Sequence, residues 1–203
     1  MPPHRDMLTA VTSPDTFGPE RLGPVPADRL TPQHRDALDA FRTARQTDVF
    51  GPFVPLLWSP DVMVRTAALG EYLRERSVFP PRLSELLILI AARHWTQQYE
   101  WSLHAPIAIQ SGVEPAIVDA IADRRRPPHM SGEQAILYDF CTELLHPQGV
   151  GDATYARALA AFGEKGIVEA VAITGYYSML AMILNTARTV PVPGGPTLPQ
   201  LEF

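Results

Sequence analysis

Cysteine is almost missing from this sequence: Cys141 stands alone among 203 residues. A lone cysteine allows no intrachain disulfide, so a stapled secreted scaffold is excluded. It also excludes a Cys-x-x-Cys redox pair and any zinc or iron–sulfur site built from several thiolates. Basic residues are in the minority, with 17 Lys plus Arg against 22 Asp plus Glu. A net charge of −5 leaves no basic surplus for a nucleic-acid face, so no nucleic-acid partner is expected. Period-two alternation between turn signals is lacking, as is any repeat of solenoid length. The opening MPPHRDMLTAV has no apolar core of signal-peptide length, which predicts a cytoplasmic protein. The most apolar stretch, residues 167–184, is interrupted by Glu169, Thr174 and Ser178. It reads as a buried helix, and no membrane partner is expected.

What the chain does have is enough apolar residue, 46%, to bury the core of one domain. Its prolines are unevenly placed: ten in residues 1–60, four in 191–199, and seven in the 130 residues between. Proline removes a backbone donor and fixes φ, so it is excluded from most helix interiors. The distribution predicts a Pro-rich arm over 1–59 with one short helix, a structured body over 60–190, and a Pro-rich tail over 191–203. Val190-Pro191-Val192-Pro193-Gly194-Gly195-Pro196 cannot be helical and is expected to run extended over the surface.

Nearly every segment of the body reads as helix. Thr31 and Pro32 have N-cap and N1 character for a helix to about Thr47. Residues 51–60, with three prolines, read as a loop. A helix from Asp61 to about Arg76 is expected to bury Val64, Ala67, Ala68 and Leu69. Pro80-Pro81 opens a helix that should be buried nearly all round. Another runs through Tyr99 to Gln110 with Gly112 as its stop, and a short one follows Glu114-Pro115 to about Ala122. Ser131 and Gln134 have capping-box spacing, Asp152 is a candidate cap for a helix closed by Gly163, and the apolar helix 167–184 comes last. The fold class is therefore all-α, with antiparallel helix pairs. The last helix has more apolar surface than one small bundle needs to hide, which predicts a homo-oligomer.

Three ionisable residues carry the chemical interest. Glu85 interrupts a strongly apolar helix, and Glu100 and His104 lie four apart, on one helix face. A carboxylate beside an imidazole raises its proton affinity and fixes its tautomer, and burial raises a carboxylate's own affinity. Two carboxyls and a histidine on the wall of a dry cavity make a workable acid–base set. Blander readings coexist: a solvated Glu–His surface pair, and Glu85 serving as a cap or pairing with Arg82 or Arg93. A metal site from the three residues is conceivable, but the pair lacks the spacing of zinc helices such as H-E-x-x-H, and no metal is expected. Pro106 adds a break beside His104, either inside the helix or in a late first turn.

The run Arg82-x-x-Glu85, Ala91-Ala92-Arg93-His94, Tyr99-Glu100-Trp101-x-x-His104-x-x-x-Ala108 and Gly112-Val113 resembles the carboxymuconolactone decarboxylase family. That family belongs to the superfamily named for the alkylhydroperoxidase AhpD. Gly175-Tyr176-Tyr177-Ser178-Met179-Leu180 through Asn185 is similar to its last core helix, and the match covers roughly residues 60–190. The resemblance implies an all-α AhpD-like bundle and assembly as trimers or hexamers. In the peroxidase branch a glutamate, a Cys-x-x-Cys pair and a histidine follow one another. Glu85 and His104 occupy the outer positions here, and Gln97 and Glu100 stand where the cysteines would be. Disulfide-cycling peroxidase chemistry is therefore not expected, and Cys141 reads as a packed core thiol.

What the resemblance implies instead is a cofactor-independent lyase of the decarboxylase type, acting on a small carboxylated lactone or oxyacid. It places His104 as proton donor, Glu100 as its orienting or relaying partner and Glu85 as a second buried acid. Tyr99 would donate to the developing oxyanion, and Arg82 or Arg93 would hold a substrate carboxylate. The competing expectation is a non-catalytic oligomeric binding or stress protein that keeps the fold.

Overall fold

Proline sets where the helices begin. In the computed structural model, which describes residues 18–199, Pro32, Pro60, Pro81 and Pro115 each open a helix. At that position the missing N–H has no helical acceptor to lose. Among the described residues a 3-10 turn at Ala27–Arg29 precedes eight helices. These are α1 (Pro32–Arg45), α2 (Phe53–Leu56), α3 (Pro60–Glu75), α4 (Pro81–His94), α5 (Gln98–Gln110), α6 (Pro115–Ala122), α7 (Gly132–Leu145) and α8 (Asp152–Ala187). No strand occurs among these residues. The arm's opening residues, 1–17, and the last four of the tail lie outside the described residues.

The caps follow from local chemistry. Thr31 and Ser131 each accept from the backbone N–H three residues on, and His34 and Gln134 return the bond. Gly112, at φ +96°, ends α5 in the left-handed region, and the Val113 N–H reaches back to the Ala108 carbonyl at 2.9 Å. Gly163 breaks α8 at φ +63°, where the sequence places a stop, but the chain resumes helix at once. Asp152 takes no capping bond; Gly151 holds the cap position and Asp152 is the first helical residue. The short α2 forms where a loop is expected, because Pro55 lies in its first turn and forfeits no bond there.

The body packs around α4. Every residue from Leu83 to Arg93 is buried, and α5, α6, α7 and α8 all pack against this helix. Full burial of Leu86, Leu87 and Leu89 contributes about 1.5–3 kcal/mol each. One expectation fails: α3 buries Met63, Thr66, Gly70 and Leu73, whereas Val64 and Leu69 are exposed. Thr66 and Gly70 belong to the inward stripe at helical spacing, so apolar content alone misplaces the face. α8 is long and apolar enough to cross a membrane by composition, but it packs against α4 and α7 as a core helix of the bundle. The tail lies along α5. Leu198 is buried, and its backbone N–H and carbonyl both bond the Gln98 amide, at 2.8 and 3.0 Å.

Candidate active site

His104 projects from the middle of α5 into the interface with α4. Four residues earlier, Glu100 shares its face, as the helical repeat requires. Gln97 fixes where this helix starts, its side-chain Oε1 accepting from the Glu100 N–H at 2.8 Å. Glu85, from the first half of α4, completes the group. His104 Nδ1 lies 2.9 Å from Glu85 Oε2, and Nε2 lies 3.3 Å from Glu100 Oε2. All three residues are buried, at 7%, 2% and 7% exposure for Glu85, Glu100 and His104.

Both ring nitrogens face carboxylate oxygens, an arrangement that only the imidazolium satisfies with two donated bonds. Burial works against the charge. The hydrogen bonds and negative charges of Glu100 and Glu85 outweigh it and lift the His104 pKa to about 9. The ring is therefore a cation at neutral pH. Glu100 Oε1 is buried with no hydrogen-bond partner, so one acceptor position of the cluster is left unfilled. Tyr177 of α8 packs its ring edge-on against the imidazole, 5.2 Å between centroids. Burial, and next the Glu100 charge, push its phenol well above the ordinary range, so it stays protonated and able to donate.

The other residues named from the sequence are placed as follows. Tyr99 packs over Gly51, where an added Cβ would stand 2.6 Å from the tyrosine ring. Burial, with the Glu100 charge behind it, raises its phenol. Arg82 pairs with Glu133 of α7 at 2.6 Å and is partly exposed. Arg93 is buried and turns to the tail, its Nη1 donating to the Pro199 carbonyl at 3.4 Å. The structure thus brings Glu85, Glu100 and His104 together and engages the two arginines elsewhere. Gln97, at one of the vanished cysteine positions, is a cap that also donates to Asn185 Oδ1 at 3.3 Å. Cys141 is buried against Thr174 Oγ1 at 3.2 Å, and burial pushes its thiol up to about 12, far from thiolate reactivity. Among the described residues no three His, Cys, Asp or Glu side chains are arranged to hold a metal ion.

Sequence reasoning reached Tyr176 and Tyr177 only through the resemblance, and it did not reach Arg74. Tyr176 meets Tyr177 edge to face at 5.2 Å, and its buried hydroxyl lies beside the Arg74 guanidinium. A Cβ at Gly70 would collide with that hydroxyl and stand 3.2 Å from Arg74 Nη1, so the missing side chain makes room for both.

No family model matches the sequence, and no curated protein matches it. Solved structures do. One is a cysteine-to-alanine variant of the debrominase Bmp8 in complex with 2,3,4-tribromopyrrole, with 14% identity and a TM-score of 0.65. It aligns over 85% of this chain and 91% of its own. A second is an alkylhydroperoxidase AhpD core protein, an uncharacterized peroxidase-related protein from Ralstonia eutropha, with 19% identity and a TM-score of 0.66. The alignment spans 87% of this chain and 94% of that one. The helices that carry Glu85, Glu100 and His104 are thus those of an all-helical AhpD-like fold.

Proposed function

We propose that the protein is a cofactor-independent acid–base enzyme of the carboxymuconolactone decarboxylase type, acting on a small carboxylated lactone or oxyacid. One observation carries the reading: an imidazolium held in a dry interior between two carboxylates, one of which keeps a free oxygen. A surface Glu–His pair has neither the burial nor the second carboxylate.

Decarboxylation breaks the bond from carbon to carboxylate and releases CO₂. The electron pair enters the substrate's conjugated carbonyl as a dienolate. A proton must then reach carbon, and His104 supplies it: its Nε2 proton passes to the facing Oε2 of Glu100, which releases that same proton to the substrate carbon. The ring is left neutral and is recharged from water, so one proton is consumed for each CO₂ released. Donors aimed at the enolate oxygen stabilise the charge as it develops. Tyr177, whose ring lies against the imidazole and whose phenol stays protonated, is the residue assigned that role in this reading.

The test is CO₂ release from γ-carboxymuconolactone and a panel of β,γ-unsaturated lactone acids. His104→Ala and Glu100→Gln are expected to lose at least about 10²-fold in kcat. Turnover unchanged in both would overturn the reading.

Self-association into a trimer or hexamer is part of the same proposal. The outer face of α8 exposes Val168 at 66%, Val171 at 41% and Met182 at 44%, a stripe at helical spacing. Light scattering is expected to give a mass of at least three 22.4 kDa chains. A monomer at micromolar concentration would rule this out.

A further inference from the structure

The two helices that carry the acid–base group are joined by three residues, Trp95, Thr96 and Gln97, between His94 at the end of α4 and Gln98 at the start of α5. The Thr96 N–H bonds the Arg93 carbonyl at 3.1 Å, and the Gln97 N–H bonds the Ala92 carbonyl at 2.8 Å. These are the paired bonds that close a helix through a left-handed residue. Glycine usually holds that left-handed position, but here it is Thr96, at φ +47°. A β-branched residue is strained there, and such strain persists only where the surroundings fix the backbone. The Thr96 hydroxyl adds only an exposed bond from Arg124 Nη2 at 3.4 Å.

The clasp on this turn comes from α8. The Asn185 side chain spans Thr96: Nδ2 donates to the Trp95 carbonyl at 3.0 Å, and Oδ1 accepts from Gln97 Nε2 at 3.3 Å. Gln97 is 2% exposed and uses both ends of its amide, since its Oε1 accepts the Glu100 N–H at 2.8 Å. Gln97 thus closes α4 with its backbone and caps α5 with its side chain. Serine is a stronger cap residue, but its hydroxyl ends at the γ position, short of the amide nitrogen that reaches Asn185. The glutamine therefore supplies a bond that capping alone does not require. Its cap bond ends on Glu100, whose carboxylate faces His104 Nε2 at 3.3 Å. Glu85, on the other side of the turn, faces Nδ1 at 2.9 Å. Any change in the angle between α4 and α5 moves these two carboxylates relative to one ring.

We propose that Gln97 and Asn185 are positioning residues for the acid–base group: they lock the strained α4–α5 turn to α8 and so keep Glu85 and Glu100 on the two nitrogens of His104. The assignment rests on the acid–base reading for the catalytic use of that group, and on the bonds of the turn alone for the coupling. Neither residue bonds the imidazole, so each acts through the backbone and through Glu100.

The experiment follows the His104 imidazole by NMR titration of the full chain, together with the melting temperature and the pH–rate profile. The ring is faced by Glu85 from α4, Glu100 from its own helix and Tyr177 from α8, and every variant leaves these in place. Asn185 is exposed, so Asn185→Ala removes both bonds of the clasp without opening the core. It is expected to keep the fold and to lower the His104 pKa from about 9 by about one unit, moving the alkaline fall in rate by the same amount. Gln97→Ser keeps a cap on α5 and should give the same shift. Thr96→Gly relieves the strain. Alone it should leave the ring at about 9, and in Asn185→Ala/Thr96→Gly it should restore most of the shift, because the turn then keeps its shape without the clasp. A clasp that serves the fold alone would lower the melting temperature in Asn185→Ala and leave the ring at about 9, and that result would overturn the assignment. A shift that Thr96→Gly fails to restore would overturn it as well. The titration needs no substrate. A falling His104 pKa in Asn185→Ala, in a protein with no lyase turnover, would remove the acid–base reading and leave the positioning standing. Full wild-type turnover with an unmoved ring in both Asn185→Ala and Gln97→Ser would do the reverse.

Discussion

His104 and Glu85 meet across the α4–α5 interface at 2.9 Å, joining two helices through one buried, charged hydrogen bond. With Glu100 on the other nitrogen, the ring holds its proton up to about pH 9. Catalysis that uses this proton is expected to run level through neutral pH and to fall as the pH rises through about 9. Stability follows the same sign. The folded-state pKa is raised above the ordinary 6.5, so the contribution is fully present below about 6.5 and is lost as pH rises through about 9. NMR titration of the imidazole alongside a pH–rate profile checks both. A ring that titrates near its ordinary value would contradict the geometry.

Glu85→Gln keeps a hydrogen-bond acceptor for Nδ1 but removes one of the two charges that hold the proton. The His104 pKa is expected to fall toward its ordinary value, because burial then meets less opposition. Turnover at pH 8 should drop more than turnover at pH 6, and urea unfolding should show a loss of about 1–3 kcal/mol. An equal drop at both pH values would mean that Glu85 does not control the proton on His104.

How much of this was written in the sequence depends on how local each feature is. Glu100 and His104 are legible because four residues make one helical turn, and Glu85 because a charge in an unbroken apolar run demands a partner. That the partner is His104 depends on how α4 meets α5, which no local pattern encodes. The buried face of α3 departs from its apolar content for a related reason: Thr66 and Gly70 face inward to fit their neighbours, Gly70 against Tyr176, and hydropathy does not register fit. The all-helical class, by contrast, follows from period and caps along each segment.

Cys141 tests whether any peroxidatic chemistry survives in this fold. Its thiol is buried, bonded to Thr174 and held protonated up to about pH 12. It should resist thiol reagents in the native state and react at once in denaturant. Cys141→Ala is expected to leave turnover intact and to cost about 1 kcal/mol in stability from the small void left behind. Rapid native-state labelling, or loss of activity in this variant, would show a functional thiol.

The tail meets the site helix at a weak point of α5 as well as at Gln98. Pro106 has no N–H, so the carbonyl of Ser102, four residues earlier, loses its helical partner. Gly195 of the tail lies against that carbonyl: an added Cβ would stand 2.9 Å from Ser102 O and 2.8 Å from Ser102 Cβ. The Ser102 hydroxyl in turn accepts the Val192 N–H at 2.8 Å. Gly195→Ala pushes a methyl into backbone and Cβ, neither of which can swing aside. It should lift the tail from α5 and destabilise the protein by about 1–3 kcal/mol. Hydrogen exchange provides the readout. The Val192 amide, bonded to Ser102 at this contact, and the Leu198 amide, bonded to Gln98 one helical turn away, should lose protection first, while Leu86 and Leu87 in the α4 core keep theirs. Because Glu100 and His104 lie on either side of Ser102 on the same helix, a fall in kcat together with that exchange pattern would make the tail a positioning element for the site. Undiminished protection at Val192 and Leu198 would show that the tail is held some other way.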